Sequence, residues 1–398
     1  MSHDICVIGA GCFGAWCAHA LRRAGASVLL LEQHAPGHSR SSSGGESRII
    51  RLGYGSDEIY TRMSERSLPQ WRELFGRTGQ QLFVQTGVLW LAKSHDALTT
   101  ASEATLRKLG LPFDHITRDQ LARRYPQIAC DDIDWALYEP QSGILLARRA
   151  VAAVVEDAIR DGAQYRQAAI AGVATGAPAR AERAQANSEL ETENFSLPHI
   201  TTTNGEKITG GAFLFCCGPW LPKLFPALLA GRMFITRQEV FFFGTPPGDA
   251  SFHPPQMPTW LEMANGVYGM PSLEGRGFKV ALDQHGPAFD PDIGERTATP
   301  QSLARARQYL ALRFPRLADA PIIESRVCQY ENTSNGDFLI DRHLQFSNVW
   351  LVGGGSGHGF KHGPAIGEYA ADLLAKKGRP EPRFSLATKQ AAQHRAVF

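Results

Sequence analysis

The sequence has no marked excess of either charge. Its 41 lysines and arginines offset 39 aspartates and glutamates, for a net charge of +2. Such a balance gives no basic field for nucleic acid or an anionic membrane surface, and neither is expected as a partner. No run of about 18 uninterrupted apolar residues occurs, so no membrane-spanning helix is expected. Cysteine is sparse: seven residues, an odd number, with no C-x-x-C pair. Cys6, Cys12 and Cys17 cluster near the start, and Cys216 and Cys217 are adjacent. This pattern argues against a disulfide framework and a thiolate metal site, and it fits a reducing compartment; a cytoplasmic protein without metal is expected. No basic segment precedes the first apolar stretch, and glycines interrupt it, unlike a signal peptide. No internal repeat is visible. What remains is 398 residues, 43% hydrophobic and 20% charged, enough for two domains or one large two-lobed unit.

The first positive signal is "DICVIGAGCFGAWCAHALRRAGASVLLLEQH". A short apolar strand, Ile5 to Ile8, runs into Gly9, Gly11 and Gly14 in the spacing G-x-G-x-x-G. A helix pattern follows to about Arg23, Gly25 ends it, and a second apolar strand ends in Glu32. Gly9 allows the tight turn, Gly11 lets the backbone approach a pyrophosphate, and Gly14 lets helix and strand pack closely. The helix N-terminus offers free N–H groups to phosphates. Glu32 stands where a carboxylate accepts hydrogen bonds from a ribose. A dinucleotide site is expected, but FAD and NAD share this unit and the fingerprint does not choose between them.

Three further stretches carry candidate chemistry. "SRSSSGGESRIIRLGYG", Ser39 to Gly55, is a Ser/Gly-rich loop leading into Arg48 and Arg51. If a helical turn begins there, the two arginines point to one side; a solvated basic loop is the plainer reading. "GGGSGHGFKHG" follows the strand Val349–Val352 and precedes a helix from about Pro364. Its small residues suit close approach to something flat, and Lys361 can bind an anion or add to the helix-terminal field. Lys279 sits inside the β-like run "EGRGFKVALD". A buried unpaired lysine is rare, so a strand-edge lysine reaching solvent is the alternative. Cys328 on its own reads as a small core hydrophobe.

Several blocks together carry a resemblance. "VIGAGCFG", "ESRIIRLGYG", "QTGVLWL", "EPQSGIL", "CCGPW", "NGVYGMPS", "GFKVALD", "RVCQYENT" and "GGGSGHGFKHGPAIGE" resemble, in order and near its spacing, the monomeric sarcosine oxidase and N-methyltryptophan oxidase family of D-amino-acid-oxidase-like flavoproteins. The likeness runs nearly end to end, the stretches 171–206 and 246–258 excepted. It implies FAD as cofactor, held by Gly9, Gly11, Cys12, Phe13, Gly14, Glu32, Gln33, Ser42, Ser43, Arg48, Gly218, Gly357, His358, Gly359, Phe360 and Lys361. It implies that Cys328, in its "V-C-x-Y" setting, forms a thioether with the flavin 8-methyl group. Arg51 and Lys361 would grip a substrate carboxylate, with Arg48 close to the flavin. Lys279 would lie over the ring and promote reaction with O2, where a fixed cation stabilises the developing superoxide. Tyr330 and Tyr268, with Met270 nearby, are pocket candidates that read equally as core.

Two positions depart from the sarcosine-specific members, which carry a histidine where this chain has Gly44 and another near where it has Asp283. Gly44 is expected to open space and Asp283 to attract an ammonium or another polar group, so an N-methyl or cyclic amino acid is expected in preference to sarcosine. The implied reaction oxidises a secondary or primary amino acid to an imine, with O2 reduced to H2O2, in a monomer. A dehydrogenase passing electrons to another acceptor, an NAD enzyme and a non-catalytic nucleotide-binding regulator are the alternatives.

Periodicity and resemblance together give the fold class as α/β, a Rossmann-type FAD-binding domain interleaved with an α+β, sheet-based substrate domain. The FAD-binding domain is expected from 1–84, 146–231 and 325–398, and the substrate domain from 85–145 and 232–324. The polar, Ala-rich stretch 177–195 is expected to be a surface loop.

Overall fold

Ile5, Cys6, Val7 and Ile8 are all buried, as a strand covered on both faces must be. They form the middle of a six-stranded sheet in the computed structural model of the protein, which describes residues 3–173 and 195–393. The strand order is Leu339–Arg342, Val349–Gly353, Gly210–Phe215, His3–Ile8, Val28–Glu32, Gln164–Gln167. All neighbours are parallel except the first pair. The helix Cys12–Arg23 follows the first strand and packs against the helices Ala147–Arg160 and Gly363–Leu374. Its crossing with Gly363–Leu374 is close because glycine allows it. A Cβ on Gly367 would lie 2.4 Å from the Trp16 carbonyl oxygen, and one on Gly363 would lie 2.5 Å from the Trp16 ring.

An eight-stranded sheet forms the second layer. Its order is Ile322–Thr333, Met233–Phe243, Phe278–Leu282, Val267–Met270, Thr259–Glu262, Val88–Ala92, Trp135–Glu139, Asp114–Thr117. Thr259–Glu262 runs parallel to Val88–Ala92, which joins the early and late halves of the sheet; the other pairs are antiparallel. A small sheet of Arg48–Ile50, Gly143–Leu145 and Phe83–Val84 lies at the crossover between the two.

The expected strand–glycine–helix unit and the closing strand–loop–helix are both present. The break expected at 325 gives the strand carrying Cys328 to the nucleotide-binding part; by hydrogen bonding Ile322–Thr333 pairs with Met233–Phe243 as an edge of the eight-stranded sheet, and its residues Gln329, Tyr330 and Glu331 line the cavity beside the six-stranded one. The surface-loop expectation falls on 177–195, of which 177–194 lie outside the described residues. Among the described residues no helix is long and apolar enough to cross a membrane.

The second sheet packs on the helix Pro300–Arg313 through Trp260, Tyr309, Phe314 and Phe278, with Trp260 stacked on Tyr309. Arg313 is fully buried in this apolar layer. Its guanidinium donates to both Glu262 oxygens at 2.8 and 2.9 Å and to Asp132, and Tyr309 donates to Glu262 at 2.6 Å. Breaking a buried pair leaves one charge uncompensated, whereas replacing both partners is often close to neutral. Arg313→Met should therefore lower the unfolding free energy by about 3–5 kcal/mol in urea titrations, and adding Glu262→Met should recover most of that loss. An undiminished loss in the double variant would place the cost in shape and not in the stranded charge.

Candidate functional site

The six-stranded sheet sets up one end of the site. Gly9 turns the chain out of the first strand at φ +98°, where a Cβ would lie 2.5 Å from the Cys216 carbonyl oxygen. Gly14 has a different job: a Cβ there would lie 1.8 Å from the Gly9 carbonyl oxygen, so it packs the helix on the turn. The helix Cys12–Arg23 has no side-chain cap on its own Ncap residue, and the Cys12 N–H instead donates to Ser43 Oγ at 3.3 Å. Glu32, at the end of the second strand, accepts from the Ala10 N–H at 2.7 Å and the His34 N–H at 3.0 Å.

Of the expected cofactor contacts, Gly9, Gly11, Cys12, Phe13, Glu32, Gln33, Ser42, Ser43, Arg48, Gly218, Gly357, Gly359 and Phe360 line one cavity of 410 Å³. Its chemistry suits a dinucleotide. Free helix-terminal amides and glycine backbone stand beside a strand-end carboxylate, and Ser42 Oγ is buried there without a hydrogen-bond partner. Gly14, Cys328, His358 and Lys361 are not among the residues lining this cavity, and His358 is turned from it by packing. Its ring stacks on Phe338, with centroids 4.9 Å apart, and Nε2 bonds to the Gly336 carbonyl at 3.0 Å, so the side chain packs into an aromatic cluster away from the cavity lining.

Cys328 and Lys279 line a second cavity of 240 Å³, and Arg48 and Tyr330 line both. Arg48 Nη2 lies 3.4 Å from Cys328 Sγ and donates to the Ser42 carbonyl at 2.7 Å. Lys279 is buried in the strand Phe278–Leu282, so the solvent-reaching alternative does not hold. Its Nζ is 3.2 Å from the Ser47 carbonyl and 5.7 Å from the Tyr268 ring centroid. Burial, and then the nearby Arg48, push its pKa down to about 7. Met270 is core.

Arg48 and Arg51 do not share a helical turn. Arg48–Ile50 is a strand, and alternation along an extended chain sends residues three apart to opposite sides. Arg48 accordingly meets Cys328, while Arg51 turns to Tyr54 and Trp90, its guanidinium carbon 4.2 and 4.8 Å from the two ring centroids. Arg51 is buried, and it donates to the Gly53 carbonyl. Lys361 Nζ donates to Tyr54 Oη at 2.7 Å and to the His358 carbonyl at 2.9 Å. Burial, reinforced by Arg51, drives the Lys361 pKa well down, while Asp283 and Glu139 pull it back up. Asp283 accepts from Tyr330 Oη at 3.0 Å. Burial lifts its carboxyl to about 7, against the Tyr330 hydrogen bond and the fields of Arg51 and Lys361. Two cations and one carboxyl thus share an electrostatic neighbourhood.

Gly44 does not open space. A Cβ there would lie 1.9 Å from the His38 carbonyl oxygen, so the glycine is held by backbone crowding. Sequence reasoning also missed Glu139. This fully buried carboxylate accepts from the Leu52 and Gly53 N–H groups at 2.6 and 3.0 Å, from Trp90 Nε1 at 2.8 Å and from Ser142 Oγ at 2.6 Å. It shapes the loop that follows Arg51. The one available signal was an acid ending the apolar strand Trp135–Glu139.

Residues 4–373 match the family model for FAD dependent oxidoreductases. The chain is 30% identical to a monomeric sarcosine oxidase of Streptomyces avermitilis over 379 residues, covering 94% of this chain and 93% of that protein. It is 26% identical to an N-methyl-L-tryptophan oxidase of Yersinia pestis, covering 97% and 99%. Among solved structures, an L-proline dehydrogenase from P. horikoshii superposes with a TM-score of 0.81 at 20% identity, covering 97% of each chain, and so shares the fold. With a family model spanning nearly its whole length and a dinucleotide cavity of fitting chemistry, the chain belongs to the FAD dependent oxidoreductase family.

Proposed function

We propose that this protein oxidises a secondary or primary amino acid, N-methyl or cyclic in preference to sarcosine, to its imine, with O2 reduced to H2O2. The observation that carries the reading is the buried pair Arg51 and Lys361, with the partly buried Asp283, held by Tyr330, in their field. An amino acid presents an anion and a cation two bonds apart, and this set offers the complements of both. The names of the relatives, oxidases of sarcosine and of N-methyl-L-tryptophan, support the class of reaction. In this reading the six-stranded sheet serves the cofactor and the eight-stranded sheet the substrate, with the strand Ile322–Thr333 as their shared wall. The protein works as a monomer on small molecules.

Bound FAD supplies the acceptor for the hydride leaving the substrate α-carbon. Arg51 and Lys361 hold the substrate carboxylate, and Asp283, steadied by Tyr330, receives the amine N–H groups. The amine reacts neutral, so its excess proton leaves before the C–H bond breaks, and water hydrolyses the released imine. Gly44 admits no histidine without moving the His38 backbone, which removes one polar group of the sarcosine-specific pocket. Lys279 holds positive charge beside the site where O2 is reduced. Cys328, with Arg48 Nη2 at 3.4 Å from its Sγ, would be the point of attachment of a flavin thioether.

Three measurements test the reading. A panel of N-methyl, cyclic and D-amino acids should bleach the flavin anaerobically, and air should restore it with peroxide formed. In Lys279→Met, bleaching should stay within a few-fold while reoxidation slows by about 100-fold or more, the scale of a lost preorganised charge. Equally fast reoxidation in the variant would take Lys279 out of the oxygen step, and slow reoxidation in the wild type would favour a dehydrogenase.

Acid-precipitated wild-type protein should stay yellow after washing, with a mass one flavin above the polypeptide. Cys328→Ser should release all its flavin to the supernatant while the other six cysteines, changed singly, retain it. Free flavin from the wild type would return Cys328 to the status of a wall residue.

Asp283 gives the third. Its folded pKa is raised, so the carboxyl is neutral below about 7 and an anion above it. The second-order rate of flavin reduction should therefore climb as pH rises towards 7 and then flatten its slope. Asp283→Asn should lose that inflection and fall about 10- to 100-fold at pH 8. An inflection that survives in the variant would belong to the substrate amine.

A further inference from the structure

One buried acid has no place in the roles above. Glu331 lies on the strand Ile322–Thr333, three residues beyond Cys328, and is only 8% exposed. Its Oε1 accepts the Gly355 N–H at 3.2 Å. Its Oε2 is buried without a hydrogen-bond partner, and among the described residues no cation pairs with the carboxyl. Two glycines from separate loops make room for it. A Cβ on Gly218 would lie 2.6 Å from Oε2, and one on Gly355 would lie 3.2 Å from Oε1. Glu331, Gly218 and Gly355 all line the 410 Å³ cavity. Burial pushes the carboxyl up to about 7, with the Gly355 N–H alone opposing.

A buried acceptor left unmade is costly, and native structures retain one where something outside the chain completes it. The cavity wall and the family membership identify that something as FAD. The cofactor's polar hydrogens sit on the adenine amino group, the ribose hydroxyls, the ribityl hydroxyls and the flavin ring N–H. Glu32 and Gln33 stand at the strand end that suits the ribose, while Glu331 stands between the Gly218 turn and the closing glycine loop.

We propose that Glu331 is a ligand of the flavin's ribityl chain, its free Oε2 accepting a hydroxyl hydrogen while Oε1 stays on Gly355. Glu331 then binds the cofactor in its middle, between the dinucleotide fingerprint and the ring. No bond is made or broken in this role.

The test reads cofactor binding, so its outcome does not depend on which amine is the substrate or on how O2 reacts. Full-length protein from riboflavin-starved cells, carrying Cys328→Ser throughout (the Glu331 wild type included) so that no thioether traps the cofactor, is titrated with FAD, following flavin fluorescence, and melted with and without FAD. Glu331→Leu should melt at or above the wild-type apoprotein, since the stranded carboxyl is gone. Its Kd for FAD should rise about 10- to 100-fold, and the rise in melting temperature on adding FAD should shrink. Glu331→Gln, which keeps an acceptor oxygen, should bind within a few-fold of wild type. Wild-type protein titrated with FAD analogues lacking single ribityl hydroxyls supplies a readout independent of any variant, and one analogue should show the same loss. Overturning results are a Leu variant that binds FAD as the wild type does, or wild-type protein indifferent to every deoxyribityl analogue. Either would leave Glu331 a wall residue satisfied by solvent.

Discussion

The antiparallel pairing of Ile322–Thr333 with Met233–Phe243 holds the site together. One strand thereby belongs by hydrogen bonding to the eight-stranded sheet and by position to the wall of the cofactor cavity. Alternation along it sorts the chemistry. Cys328 and Tyr330 reach Arg48 and Asp283, while Glu331 reaches Gly355. A slip of one residue in this pairing would exchange those faces and turn the thiol away from Arg48. The unbroken register from Met233 to Phe242 makes that slip costly.

Around this strand the protein keeps several cations in places where water is scarce. Lys279, Lys361, Arg48 and Arg51 all stand near the meeting of the two sheets. Burial works against the charge of both lysines. Their compensation is partial and comes from carbonyl oxygens, Tyr54 and distant carboxylates. In the proposed function the surplus of positive charge is met by the carboxylate of the incoming substrate. That physical tension distinguishes this region from the Arg313–Glu262 pair, where the charges are matched inside the chain.

The dinucleotide end was legible because most of its constraints are local. Gly14 and Glu32 act on neighbours within about one strand–helix unit, and the spacing of the three glycines is visible in the sequence, although the crowding at Gly9 comes from the distant Cys216. The directions of Arg48 and Arg51 were not legible, since a short segment of that composition suits a turn or a strand and only pairing with Gly143–Leu145 decides. Gly44 was misread because a missing side chain looks the same whether it leaves room or yields to a backbone, here that of His38. His358 sits in the glycine-rich loop, but the position of Phe338, which turns its ring aside, is set by tertiary packing. Glu139 and Glu331 were overlooked for a related reason. Each is a carboxylate in a β-like run, and its importance lies in donors brought to it from elsewhere in the chain.

Glu139 also bears on how such a site can be altered or transferred. The loop after Arg51 owes its form to a carboxylate on a strand far along the chain, which gathers two of its amides together with the Trp90 indole. A segment cut out with Arg51 and grafted onto another scaffold would carry the amino acids but not the mould. Redesign of specificity at this end has to treat the loop, Trp90 and Glu139 as one inherited unit.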